Sequence, residues 1–350
     1  MKNRKAVVLF NLGGPSDLAG VKPFLFNLFY DRAIIDLPTI FRYPLAKFIS
    51  SRRENTAKEI YEHLGGKSPI LENTLSQAQK LKEILGEGYE IFTSMRYTKP
   101  GSEDVIREIN EYNPDEILLL PLYPQLSTTT TSSSLRDFAS KLDRGKVVKM
   151  ICCYPTEKNF LKAYELLIQE KIKDLDASKY RILFTAHGLP EKIIKKGDPY
   201  QFQVEQTCNE LVKLLKVSEL DYQICYQSKV GPLKWIGPST EKEIIRAAEE
   251  KKIIVLVPIS FVSEHSETLV ELDIEYKEMA MEHNCQGYIR IPTLSIQELF
   301  IKSLKEQIEF LANWEVNMEE NNIFITNLNE ARICPQEFCK CLFNEDYFYG

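Results

Sequence analysis

The chain has four histidines, and one of them, His187, stands where chemistry is feasible. It closes an apolar run, 180–186, and precedes Gly188-Leu189-Pro190, so its imidazole sits at a turn with room to face outward. A neutral imidazole there can accept a proton or touch a metal. An ordinary satisfied turn residue has the same signature. The second constellation is Glu267, Glu271 and Glu275. At about 100° per residue, members four apart drift by only ~40° and form a stripe along one helix face; a π-type bulge also keeps them roughly aligned. Acids near a helix start are commonly a solvated face matched to the macrodipole. Here they share their segment with His265 and Asp273 directly behind a strand. A line of carboxylates leading to a histidine can relay protons or hand on a hard divalent cation. The near-neighbour ligand pattern of a resident zinc is missing from the sequence. A metal held by His187 and Glu267 alone is under-coordinated and transient, which suits a metal that is a substrate.

These residues need a frame. Short apolar runs at 5–11, 89–95, 115–122 and 147–152 in the first half, and at 180–186, 222–226, 252–259 and 287–292 in the second, read as strands. Amphipathic stretches such as 102–112, 158–175, 239–250 and 295–313 lie between them. Continuous apolar strands alternating with helices predict parallel sheets covered on both faces, here two doubly wound α/β domains of four strands each. In such sheets ligands bind beyond the carboxyl ends of strands. His187, Arg96-Tyr97, Tyr123-Pro124-Gln125 with the Ser/Thr run 127–134, Tyr226–Lys229 and Ser260–Glu267 all follow strand ends. No Gly-x-Gly-x-x-Gly and no phosphate-binding loop occurs, so a nucleotide cofactor has no support.

At 350 residues the chain is too long for one ordinary core. The divisions expected are 1–165, 166–318 and a tail, 319–350. Apolar residues make up 44% and the net charge is -6, the balance of a soluble globular protein with no clustered basic surface for nucleic acid. The longest apolar runs, such as 253–258, are far short of the ~20 residues a membrane span needs, and the N-terminus lacks a signal-peptide pattern. A cytoplasmic protein is expected, in which the eight cysteines form no disulfide framework.

In this order the residues resemble the ferrochelatase family. The segments that carry the resemblance are Asn11-Leu-Gly-Gly-Pro15, Arg52-Arg53, Gly65-Gly-Lys-Ser-Pro-Ile70, Met95-Arg-Tyr97, Tyr123-Pro-Gln125, Ala186-His-Gly-Leu-Pro190, Tyr226-Gln-Ser-Lys-Val-Gly-Pro232, Trp235-Ile-Gly-Pro238 and Ser263–Tyr276, over about residues 5 to 313. The resemblance implies two Rossmann-like, chelatase-type domains around a porphyrin cleft. It implies a lyase that inserts Fe²⁺ into protoporphyrin in haem biosynthesis. It casts His187 as the histidine beside the pyrrole nitrogens, Glu267 as its carboxylate partner and brief iron contact, and Glu271 and Glu275 as the acidic line behind. Arg53, Tyr61 and Ser68 match porphyrin-contacting positions, with Arg53 suited to a propionate. Tyr97, Tyr123, Trp235 and Phe261 suit ring contact, although core packing is the commoner fate of aromatics. Segment 21–40 matches a lip that could admit porphyrin from a membrane surface, here the inner membrane; packing on its own sheet weighs equally.

The spacing Cys334-x4-Cys339-x-Cys341 is dense enough for a metal centre. Some ferrochelatases carry a two-iron two-sulfur cluster on such a tail. Four thiolates are needed; Thr128 stands at the distant ligand position of animal members, leaving Cys153 or Cys152 as the fourth. Zinc or three free thiols are the alternatives. Two rival functions are a chelatase for another metal or tetrapyrrole and a non-catalytic haem- or metal-binding protein.

Overall fold

The computed structural model describes residues 4–143, 145–316 and 323–343. Among them the strands are β1 (Lys5–Asn11), β2 (Tyr89–Met95), β3 (Glu116–Pro121), β4 (Val147–Ile151), β5 (Tyr180–His187), β6 (Tyr222–Gln227), β7 (Ile253–Pro258), β8 (Gly287–Arg290) and β9 (Ile323–Thr326). The eight expected runs fall on β1 to β8 nearly end for end, with helices Ser102–Tyr112, Lys158–Ile172, Thr240–Glu249 and Glu298–Asn313 in the expected stretches. The strands form two wholly parallel sheets, ordered β2-β1-β3-β4-β9 and β6-β5-β7-β8. The first sheet is therefore one strand wider than expected. Its extra strand, β9, comes from the segment assigned to the tail and pairs with β4, Val148 opposite Ile323. Four residues at a sheet edge are too few for a periodic signal.

One compact unit holds the chain up to Cys153 together with Leu304–Ala331; the other holds Tyr154–Ser303 and the segment from Arg332 onward. In each, the central strands are buried along nearly their whole length: Ala6, Val7, Val8 and Leu9 of β1, and Ile254, Val255, Leu256 and Val257 of β7, have no exposed surface. A parallel sheet needs such continuous apolar runs because helices cover both faces. Helix Ser102–Tyr112 illustrates how the local sequence fixes an element. The Asp104 carboxylate accepts from the Gly101 amide at 3.1 Å, Val105, Ile106 and Ile109 turn inward, and Asn113 stops the helix in the left-handed region at φ 49°. In the second unit Leu183, Ile244, Leu256 and Leu272 meet in one core cluster with Cys225 and Tyr276. Full burial of each such leucine or isoleucine contributes ~1.5–3 kcal/mol, and this cluster anchors the segment that follows β7.

The two sheets share one winding. Counted from the first strand of each unit, the order is second, first, third, fourth in both. The chain reverses its direction of winding between β1 and β3 and again between β5 and β7. In doubly wound sheets that reversal opens a crevice at the carboxyl ends, where ligands bind. His187 ends β5, and the segment with the three glutamates follows β7.

Candidate active site

Residues Glu267–Glu275 form a π-helix, continuing into the α-helix Tyr276–Glu282. The wider turn is held at its end by the Tyr276 amide, which donates to the Glu271 carbonyl, five residues back. An ion-pair clamp braces the same segment from outside. The Arg290 guanidinium, on β8, donates to Asp273 Oδ1 at 2.8 Å and also contacts Asp273 Oδ2, and it donates to Glu264 Oε1 at 2.6 Å. Thr268 and Val270 are buried beneath, so Glu267 and Glu271 lie on the side toward the end of β5.

His187 and Glu267 meet there: His187 Nδ1–H donates to Glu267 Oε2 at 2.8 Å. That bond fixes the tautomer that leaves Nε2 as the acceptor. The ring is 36% exposed, and Trp235 stands edge-on to it with centroids 6.3 Å apart. Gly188 is required by this packing. A Cβ there would lie 2.9 Å from the Gln227 carbonyl oxygen and 3.1 Å from the Trp235 ring, tighter than side chains tolerate.

Behind Glu267 the line continues through a residue the sequence reading did not single out. The Ser228 hydroxyl lies 2.6 Å from Glu271 Oε2 and 3.3 Å from Glu267 Oε2, and the Ser228 amide donates to Glu271 Oε1 at 3.0 Å. Ser228 does this from the left-handed region, φ 63°. Gln227 donates to Glu271 Oε2 at 3.2 Å, and its own carbonyl accepts from Thr185 at 2.9 Å. The Tyr276 hydroxyl is 2.9 Å from Glu271 Oε1 and 3.0 Å from Glu241 Oε1. Ser228 and Tyr276 were visible in the quoted motifs; the approach of Glu241, 35 residues away in sequence, left no trace in the sequence. Glu275 is exposed at the end of the π-helix.

Electrostatics separate the groups. Burial disfavours a charged His187, but the Glu267 carboxylate, its hydrogen bond and Glu271 outweigh it and raise the imidazole pKa. Burial likewise works against a charged Glu267, yet His187 and the hydrogen bonds hold it well below the usual carboxylate range. Glu271 goes the other way: burial and the nearby Glu267 charge push it up to about 7. Two carboxylates with pKa values driven apart by their surroundings are the signature of divided acid–base roles. His265, beside them, is buried and kept neutral by that burial; its Nδ1 is 3.1 Å from the Ser263 carbonyl and its ring packs on Phe261 at 4.6 Å.

In the first unit, Arg53 is exposed, with its guanidinium 5.7 Å from the Phe29 ring centre. Tyr61 and Tyr97 are buried in a cluster with Val21, Phe24 and Leu25, and Tyr97 donates to Asp31 at 2.9 Å. Ser68 is buried against Gly14, and Tyr123 is buried with its hydroxyl 3.5 Å from Ser134. In segment 21–40, helix Val21–Tyr30 packs inward, whereas Ile40 is 75% exposed; beyond the segment, on the same helix Thr39–Glu62 as Ile40, Phe41 and Phe48 are 61% and 62% exposed. Among the described residues no helix is long and apolar enough to cross a membrane.

The tail from Arg332 docks on the second unit. Arg332 donates to the carbonyls of Cys334, Pro335 and Phe338, Phe338 packs on Phe202, and the Lys340 amide donates to the Gly197 carbonyl. Cys334 and Cys341 are buried; the hydrogen bond from Cys334 outweighs burial and lowers the Cys341 thiol to about 6. Cys339 is exposed, its sulfur 3.4 Å from the Lys196 carbonyl. Cys153 lies buried in the first unit, 3.3 Å from the sulfur of Cys152. Among the described residues no three His, Cys, Asp or Glu side chains are gathered as a metal site.

Comparison with known proteins decides the family. A ferrochelatase family model matches residues 4–310. The chain belongs to the ferrochelatase family. Its relatives include the ferrochelatases of Rickettsia felis, 53% identical over 98% of both chains, and of Pelagibacter ubique, 51% identical over 97% of this chain and 98% of the relative. Among solved structures, the sirohydrochlorin chelatase SirB of Bacillus subtilis subspecies spizizenii in complex with cobalt aligns with a TM-score of 0.53 at 8% identity, over 88% of this chain and 95% of that one. DR2241 of Deinococcus radiodurans, a multi-domain protein with structural similarity to chelatases, gives 0.51 at 11% identity over 89% and 56%. At such identities the likeness is one of fold, and it is the chelatase fold that the ferrochelatase motifs implied.

Proposed function

We propose that the chain is a lyase that inserts ferrous iron into protoporphyrin, releasing two protons, as the terminal step of haem biosynthesis. The observation that carries this reading is the hydrogen-bonded line His187–Glu267–Ser228–Glu271 at the switch point of a ferrochelatase-family chain. A free porphyrin holds two N–H protons where the iron must go. His187 Nε2 accepts a pyrrole proton, and Glu267 stabilises the imidazolium that forms. The same two side chains make the brief contact with substrate Fe²⁺, which two ligands hold too weakly to trap. Binding energy from the propionates and ring faces supplies the ~1–5 kcal/mol needed to bend the macrocycle. Arg53 is suited to a propionate, and Trp235 and Phe261 to the ring; Tyr61, Ser68, Tyr97 and Tyr123 complete the residues assigned to the porphyrin. Glu275, exposed at the end of the π-helix, is the outermost acid of the stripe.

The reading includes a cytoplasmic location with peripheral contact to the inner membrane, supported by exposed Ile40, Phe41 and Phe48. It also includes a two-iron two-sulfur cluster on Cys153, Cys334, Cys339 and Cys341. The lowered Cys341 thiol supports this, because thiolates are the ligating form; Cys339 would have to leave the Lys196 carbonyl. Visible iron–sulfur bands in the protein as isolated, lost in Cys341→Ser, test it.

The main experiment mixes purified protein, Fe²⁺ and protoporphyrin without oxygen and follows the porphyrin spectrum. Conversion to haem that is abolished by His187→Ala is expected. Binding of porphyrin with no metallation would leave the non-catalytic binder as the function. A rate with cobalt or nickel that exceeds the iron rate would favour the other chelatase reading.

A further inference from the structure

The acidic stripe, taken as a sequence pattern, points from Glu271 to Glu275. The hydrogen bonds take a different course. From Glu271 they turn aside to Tyr276, and from Tyr276 to Glu241, at the start of helix Thr240–Glu249. We propose that Tyr276 and Glu241 form the exit relay that carries protons from Glu271 out of the site. This rests on the functional reading above, and takes its hydrogen-bonded line His187–Glu267–Ser228–Glu271 as the route by which protons leave His187.

The geometry polarises the relay. One phenol hydrogen stands between two carboxyl oxygens at 2.9 and 3.0 Å. Both contacts can be hydrogen bonds only if one carboxyl group is itself protonated. Glu271 is the group suited to hold that proton, being buried beside Glu267. Glu241 is in the first turn of its helix, where the macrodipole favours an anion. It is only partly buried, so it can discharge to solvent. The proton on Glu271 Oε1 then passes to the Tyr276 oxygen as the phenol's own hydrogen passes to Glu241 Oε1. One O–H bond breaks and one forms at Tyr276, which stays neutral throughout. Rotation of the new O–H resets it. A tyrosinate is not needed, and burial with two flanking carboxylates raises the phenol pKa far out of reach. A satisfied buried phenol beside a helix-start acid would show the same contacts, so the test must read proton flow.

The assay is steady-state metallation by the full chain in its wild-type, Tyr276→Phe, Glu241→Gln and doubly substituted forms. Tyr276→Phe keeps the ring that packs in the core, and Glu241→Gln alters only a partly exposed helix start. Each single change is expected to lower kcat about 5- to 20-fold, below the general acid–base range because the relay is remote from the reacting atoms, with KM for both substrates unchanged. The double variant should be no slower than the slower single, since two breaks in one path are not additive. Formate should restore part of the Glu241→Gln rate by replacing the lost base. Single variants that keep more than half the wild-type kcat, a double variant equal to the product of the singles, or losses confined to KM would overturn the relay. A wild-type chain that metallates no porphyrin would overturn the functional reading itself; one that metallates while the variants are unimpaired overturns the relay alone.

Discussion

Replacing Glu267 by Gln removes the charge opposite His187 while leaving an acceptor for its Nδ1–H. As Nε2 takes a proton, the imidazolium develops against a carboxylate 2.8 Å away. A hydrogen bond to a charged group contributes about 1.5–3 kcal/mol. The pair is partly open, 36% exposed at His187 and 26% at Glu267, so solvent screening holds the value to the lower half of that range. At about 1.4 kcal/mol per tenfold, kcat should fall about 10- to 40-fold. KM for porphyrin should be unchanged, because the lost interaction forms only as the proton moves. The pH profile supplies an independent sign. His187 must be neutral to act, and Glu267 raises its pKa, so activity in the wild type rises with pH through that raised value. In the variant the acidic limb must move to lower pH. Initial rates of anaerobic metallation across the neutral range measure both quantities. A variant with more than half the wild-type kcat, or an acidic limb that stays in place, refutes the proton-partner role. A loss confined to KM for iron would make Glu267 an iron ligand and nothing more.

Glu271→Gln should stabilise the fold at alkaline pH. A carboxyl pKa raised from 4.5 to about 7 means that the native state binds the extra proton between those values, so the wild type loses stability as pH rises through them. The loss reaches at most about 3 kcal/mol; urea midpoints should favour the variant above neutrality and converge in acid, and equal midpoints throughout would contradict this. Arg290→Met leaves Glu264 and Asp273 without their cation and should cost about 3 kcal/mol, the low end for breaking a buried pair, because Asp273 is 34% exposed. Chemical denaturation measures it, and a change under 1 kcal/mol would remove the clamp from the account. The double change Phe41→Ser, Phe48→Ser should reduce co-sedimentation with anionic lipid vesicles at least tenfold, given ~1.5–3 kcal/mol for each buried phenylalanine, without changing solution metallation; undiminished sedimentation would exclude this patch as the membrane contact.

Much of this was legible in the sequence because it is local. A parallel strand buried on both faces must be a short apolar run, so β1, β3, β5 and β7 declared themselves. The offset of four between Glu267 and Glu271 gave a shared face whether the turn was α or π. What stayed hidden depends on partners distant in the chain. Ser228 is one ordinary hydroxyl among 21 serines and 16 threonines until β6 sets it beside the π-helix.

 

In residue type Ser228 does not differ from the other hydroxyl residues. Its role appears only when the pairing of β6 with β5, Gln227 opposite His187, carries it to the π-helix. Glu241 is hidden for the same reason: as a sequence feature it is an acid in the first turn of a helix, and only the fold brings Tyr276 to it. β9 was missed because four residues give too little pattern, and the enclosure of Tyr97 by Val21, Phe24 and Leu25 is likewise invisible in its sequence neighbours.

The two units show that the winding alone does not make the site. Asn11 ends β1 as His187 ends β5, each followed by glycine and proline, and the registers match, Asn11 opposite Met95 and His187 opposite Gln227. Yet Asn11 is consumed locally: its amide donates to Thr74 at 3.0 Å and its carbonyl oxygen accepts from the Leu12 amide at 2.8 Å. His187 spends one ring nitrogen on Glu267 and keeps the other. The residue after β2 is Arg96, tied to Asp31 at 2.7 Å; the residue after β6 is Ser228, which joins two glutamates. After β3 the chain offers buried serines and threonines, and after β7 it offers carboxylates on a π-helix. The same frame therefore presents three equivalent positions twice, and only in the second unit do they hold a base, a bridging hydroxyl and an acid line within hydrogen-bonding reach of one another. Chemistry at this crevice follows from those three substitutions on a common scaffold, so it is the residues at strand ends, rather than the sheet, that mutation must address.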